Sequence, residues 1–158
     1  MKNLLLLLVL FSGAVYAQKE MPSISLKTTE NKSVNVKSDF AEKDKLYVFA
    51  FWATWCTPCI KELEAINEHY ADWSKELNME LVAVSIDDSR TEKRVKPLLN
   101  GKKWPYTVLL DSNQDLKRAL SIANVPYTVA VKNGTVVYVH NGYNQGGETE
   151  LYNALKSL

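Results

Sequence analysis

Leu46-Tyr47-Val48-Phe49-Ala50-Phe51-Trp52 is an unbroken apolar run, and soon after it the period of the sequence changes. A continuous run of this length is what a central strand shows when both of its faces are covered. From Pro58 onward Ile60, Leu63, Ile66, Tyr70 and Trp73 recur at steps of three and four, the spacing of an amphipathic helix. Pro58 suits the first turn of that helix, where an N–H is not needed. A buried strand followed at once by a helix commits the chain to an α/β design with a parallel crossover.

The rest of the pattern extends this unit. Ile24 to Val36 alternates around Thr29-Glu30-Asn31-Lys32 and reads as a hairpin, and Ser38 to Ala41 reads as one helical turn. Met79 to Ile86 is a second apolar strand, ending at Asp87-Asp88. Thr91 to Asn100 is expected to be a helix stopped by Gly101, Tyr106 to Leu110 a strand, and Asp115 to Ile122 a short helix. Thr128 to Val131 and Val136 to His140 flank Asn133-Gly134, a two-residue hairpin signal. Glu148 to Leu158 closes the chain as a helix, with Leu151 and Leu155 inward. The expected architecture is a central mixed sheet flanked by helices, with an added N-terminal hairpin.

Both cysteines of the chain, Cys56 and Cys59, stand between the first long strand and its helix. A secreted chain that used disulfides for stability would spread its cysteines to close long loops. A bridge between these two closes almost nothing. Structural zinc needs four ligands, and only His69 and His140 remain to complete a set, at no zinc-finger spacing. Redox chemistry fits better. Cys56 falls at a helix N-terminus, where unpaired N–H groups and the helix dipole favour an anion, so its thiolate is the nucleophile. Cys59, one turn on, is placed to resolve a mixed disulfide formed on Cys56. Cys56 is expected to be exposed and Cys59 more buried.

Trp55-Cys56-Thr57-Pro58-Cys59 resembles the W-C-x-P-C motif of thioredoxin-like proteins, and the element order from Leu46 onward matches that fold. The apolar N-terminal segment, the early hairpin, the long stretch before Tyr106 and Glu62 make the chain most similar to the TlpA/ResA branch of extracytoplasmic thiol–disulfide oxidoreductases. That resemblance implies further site residues. Glu62, three residues after Cys59, would take the Cys59 proton. Val125-Pro126 sits where the family carries a cis-proline facing the cysteines, with the Val125 backbone pairing to an extended client segment. Trp55, Thr57 and Pro58 would shape the client surface. Tyr127 and Tyr143 are further candidates to line that face, and Trp52 reads as core. Ala50 departs from many cytoplasmic thioredoxins, which carry a buried Asp six residues before the first cysteine.

The N-terminus carries the address. Lys2, the apolar run Leu4 to Phe11 and the small-residue end Val15-Tyr16-Ala17 read as a signal peptide over 1–17, leaving a domain over 18–158 that is soluble outside the cytoplasm. An uncleaved anchor is the alternative, against which the apolar run is short. The chain carries 19 Lys and Arg against 18 Asp and Glu, and loss of the first 17 residues balances them. A neutral chain has no field to attract nucleic acid, and the basic stretch from Arg90 to Lys103 reads as a solvated face. No cofactor or metal is called for. The Thr-Pro pair between the cysteines lacks the His of strongly oxidising motifs, which favours a reductase fed by a membrane thiol electron donor. The resemblance implies disulfide-bearing client proteins, cytochrome c precursors among them. An oxidase or isomerase, or a redox-inert binding module, stays open as a rival. A thiol peroxidase is disfavoured because Ala53 stands where those enzymes place a Thr.

Overall fold

The computed structural model describes residues 19–158, so the expected signal peptide lies outside the described residues. The element order is β1 (Ser25–Thr28), β2 (Ser33–Asn35), β3 (Leu46–Trp52), α1 (Thr57–Glu76), β4 (Met79–Ser85), a short 3₁₀ turn at Glu92–Arg94, α2 (Val95–Lys102), β5 (Thr107–Leu110), α3 (Asp115–Ala119), β6 (Tyr127–Lys132), β7 (Thr135–Asn141) and α4 (Gly147–Lys156). The strands form one sheet in the order β2-β1-β5-β4-β3-β6-β7. β3 pairs parallel with β4, and β4 with β5; β3 pairs antiparallel with β6, and β6 with β7. This is the thioredoxin fold with the N-terminal hairpin joined to the sheet through β1 and β5.

Every residue of β3 is buried, as a strand covered on both faces must be. α1 lays Cys59, Glu62, Leu63, Ile66 and Trp73 inward. Its far end is tied to α4, where the Trp73 and Tyr152 rings stack at 4.8 Å and Lys156 Nζ lies 2.6 Å from the Glu76 carboxylate. The Tyr106 hydroxyl donates to the Leu63 carbonyl at 2.8 Å, and the Tyr70 hydroxyl accepts from Leu81 N–H at 3.2 Å. These bonds fix the roll of α1 on the sheet and so the height at which its first turn stands.

Two local expectations are corrected. The single helical turn at Ser38 to Ala41 is instead a turn begun by Asn35, whose side-chain oxygen accepts the N–H groups of Lys37 and Ser38 at 3.0 and 3.2 Å. That competing acceptor diverts the backbone before a helix can start. The helix expected over Thr91 to Asn100 begins later and runs through Gly101, ending where Lys103 adopts a left-handed φ of 54°. The first residues are held instead by the Asp88 carbonyl, which accepts from Thr91 and Glu92 N–H at 2.9 and 2.8 Å.

Candidate active site

Cys56 is the N-cap of α1, in an extended conformation, and its Sγ accepts Cys59 N–H at 3.3 Å. The sulfur thus occupies the place where a Ser or Asp side chain would cap a helix. Pro58 lies in the first turn and removes no needed donor. Cys56 and Cys59 are joined as a disulfide with their Cα atoms 5.3 Å apart. Cys59 is fully buried. Cys56 is only 5% exposed, which corrects the expectation of an open thiol. In the disulfide its sulfur lies against the first turn of the helix, where it accepts Cys59 N–H. The order of the two is nonetheless as expected, with Cys59 the deeper.

Trp55 is 57% exposed beside this pair, and Thr57 and Pro58 are also exposed. The Val125–Pro126 peptide is cis, and Pro126 is buried. β6 starts at Tyr127 opposite Phe51, so Val125-Pro126 lies along the end of β3 from which the cysteine loop springs. The Pro126 carbonyl accepts Gly142 N–H at 2.9 Å, which brings the β7–α4 loop to the same end of the sheet. Tyr143 in that loop lines a groove of about 580 Å³ together with Thr57, Pro58, Lys61 and Glu148. Its hydroxyl donates to Glu148 at 2.8 Å, and burial with that carboxylate neighbour pushes the phenol up to about 12. Tyr127 is half-buried in β6, paired to Asn141 on its other side, and does not line this groove. Trp52 is core, its ring edge-to-face with Trp104 at 5.4 Å. His69 stacks on Trp73 at 5.5 Å toward the far end of α1, and His140 sits beside Tyr138 on β7.

Glu62 is not on a solvated helix face. It follows Cys59 by three residues on the inner side of α1 and is 2% exposed. Burial pushes its carboxyl from an ordinary value near 4.5 up to about 8. That places the Glu62 carboxyl in the range where an ordinary cysteine thiol titrates.

One feature of the site escaped the sequence reading. Asp87, just past the end of β4, is 1% exposed and accepts both the N–H and the hydroxyl of Thr54, at 2.8 and 2.6 Å. The Asp87-Asp88 pair at a strand end was visible in the sequence. Which loop it would hold depended on the pairing of β3 with β4.

The AhpC/TSA family matches residues 17–142 of the sequence. The chain belongs to the AhpC/TSA family. Within it the similarity runs to thiol–disulfide oxidoreductases. ResA of Bacillus thuringiensis strain Al Hakam is 31% identical over 120 residues, covering 75% of this chain and 66% of that protein. ResA of Bacillus subtilis strain 168 is 30% identical over 138 residues, covering 82% of this chain and 74% of that protein. Among solved structures, an uncharacterized thioredoxin-like protein from Porphyromonas gingivalis superposes with a TM-score of 0.74 at 45% identity, over 87% of this chain and 90% of that one. With the Cys-x-x-Cys pair at disulfide distance, this AhpC/TSA member is a thiol–disulfide oxidoreductase of the ResA type. Fully buried Ala53 leaves no hydroxyl three residues before Cys56.

Proposed function

We propose that the protein reduces disulfides of other proteins outside the cytoplasm. The Cys56 thiolate attacks a client S–S bond, forms a mixed disulfide and expels one client thiolate. Cys59 then gives its proton to Glu62 and attacks Cys56 Sγ, releasing the second client thiolate and leaving the Cys56–Cys59 disulfide. A membrane thiol electron donor restores the dithiol. The observation that carries this reading is the Cys56–Cys59 pair at the start of α1, with the Glu62 carboxyl buried one turn beyond the resolving cysteine.

The client surface is the exposed Trp55 with Thr57 and Pro58 on one side and Val125-Pro126 on the other. An extended client segment laid along the Val125 backbone would present its disulfide to Cys56. The proposed clients are disulfide-bearing secreted proteins, cytochrome c precursors among them. The His-free Thr-Pro pair supports the reducing direction. The location rests on the N-terminal sequence. No helix among the described residues is long and apolar enough to cross a membrane.

Insulin reduction by dithiothreitol, with and without the protein, tests the reading. Wild type is expected to accelerate chain separation, and Cys56→Ser to abolish the acceleration. Equal rates for the two would overturn it, as would a reduction potential in the range of strong oxidants, near −120 mV, or turnover of hydrogen peroxide in place of insulin.

A further inference from the structure

Among the described residues, the loop that carries Cys56 is tied by side-chain hydrogen bonds to a neighbouring strand end at Thr54. β3 and β4 run parallel with Trp52 opposite Ser85, and Ile86 N–H donates to the Trp52 carbonyl at 2.9 Å. This brings the residue after Ile86 beside the residues after Trp52. There Asp87 Oδ2 accepts Thr54 N–H at 2.8 Å, and Oδ1 accepts the Thr54 hydroxyl at 2.6 Å. Ser85, also buried, steadies the carboxylate. Its hydroxyl donates to Oδ2 at 2.9 Å and accepts Asp87 N–H at 3.2 Å. Both carboxylate oxygens are therefore used, and three donors converge on them.

Thr54 is two residues before Cys56. Between them Trp55 is largely in solvent and is not packed down. The turn is closed on the near side by Cys56 N–H donating to the Ala53 carbonyl at 3.0 Å. The side-chain anchor of the segment is Thr54, and its mooring is Asp87. A thiolate gains from a helix N-terminus only while its sulfur stays within reach of the first-turn N–H groups. Cys56 Sγ accepts Cys59 N–H at 3.3 Å, a contact that holds only while the loop keeps Cys56 over the first turn of α1.

We propose that Asp87, acting through Thr54, is the positioning residue of the redox pair: it holds the Cys56 sulfur over the N-terminus of α1. This rests on Cys56 being the attacking thiol. Holding is a matter of geometry. An Asn at 87 can keep it, its carbonyl oxygen accepting Thr54 N–H and Ser85 hydroxyl while its NH₂ donates to a rotated Thr54 hydroxyl. An Ala cannot.

The test is the rate of Cys56 alkylation by iodoacetamide against pH, read in a Cys59→Ser background so that one thiol reacts and no client is needed. Asp87→Ala is expected to slow alkylation at neutral pH about tenfold and move its inflection to higher pH, the scale on which small displacements act on preorganised groups. Asp87→Asn and Thr54→Ser are expected to stay within about twofold of wild type, and Thr54→Val to fall between. Thr54→Val removes only the hydroxyl bond, so it keeps the test alive if Asp87→Ala does not fold. If Asp87→Ala and Thr54→Val lower the melting temperature but leave the alkylation profile in place, the contact is merely structural and the proposal fails. It fails equally if Asp87→Asn behaves like Asp87→Ala, since the buried charge and not the position would then act on the thiol. Either result leaves insulin reduction by the wild type untouched, so the proposed reaction is judged separately.

Discussion

Glu62 carries the sharpest residue-scale consequence. Its carboxyl holds a proton up to about pH 8 in the folded protein, while the unfolded chain releases it near 4.5. Between those values the folded state binds a proton that the unfolded state has lost, so this residue removes stability as pH rises and the loss levels off above 8. Each tenfold difference in proton affinity is worth about 1.4 kcal/mol. Glu62→Gln, of equal size and without the charge, is expected to be more stable than wild type at pH 8 and little changed at pH 5. Urea denaturation at the two pH values checks this, and equal stabilities at both would contradict it. The same substitution is expected to slow insulin reduction and to remove an inflection near pH 8 from its rate. The sequence located Glu62 by its distance from Cys59. That it is buried, and so basic enough to serve a thiol, came from the roll of α1 against the sheet.

At the scale of elements, short-range chemistry was legible wherever one local rule acted alone. Asn133 and Gly134 both take positive φ, 52° and 78°, as a tight hairpin with matching twist requires. The Asn133 side chain adds a bond from Asp44 N–H at 3.0 Å, tying this hairpin to the loop before β3. Gly134→Ala puts a Cβ on left-handed backbone and is expected to cost about 1 kcal/mol, with insulin reduction per folded molecule unchanged because the turn is at the end of the sheet away from Cys56. Thermal denaturation with an activity assay reads both. Where two rules competed, the reading slipped. Gly101 looked like a helix stop, yet nothing required left-handed backbone there, and the stop came at Lys103. Asn35 and Ser38 both had turn chemistry, and the side chain with two N–H groups in reach prevailed.

Over the whole molecule, the N-terminal hairpin belongs to the core and is not an ornament on it. Met21, Leu26 and Val36 are 1%, 5% and 1% exposed, and β1 extends the sheet beside β5. A chain starting at Ser38 retains every proposed catalytic residue but loses these three side chains. Burial of each is worth roughly 1.5–3 kcal/mol. Such a chain is expected to lose on the order of 5 kcal/mol and to be insoluble or molten, whereas one starting at Lys19 folds. Circular dichroism melting of the two separates these outcomes, and a cooperative transition at the same temperature for both would show that the hairpin contributes nothing.

The order of strands and helices, the disulfide pair and its place at a helix start were all written in local periodicity and spacing, because hydrophobic pattern and N-terminal helix chemistry act over a few residues. The depth of Cys56, the basicity of Glu62, the cis peptide at Pro126 and the grip of Asp87 on Thr54 were decided only when distant segments met. Burial and hydrogen-bond partnership are properties of what lies opposite a residue in the fold, and residues 54 and 87 become neighbours only through the parallel pairing of β3 with β4.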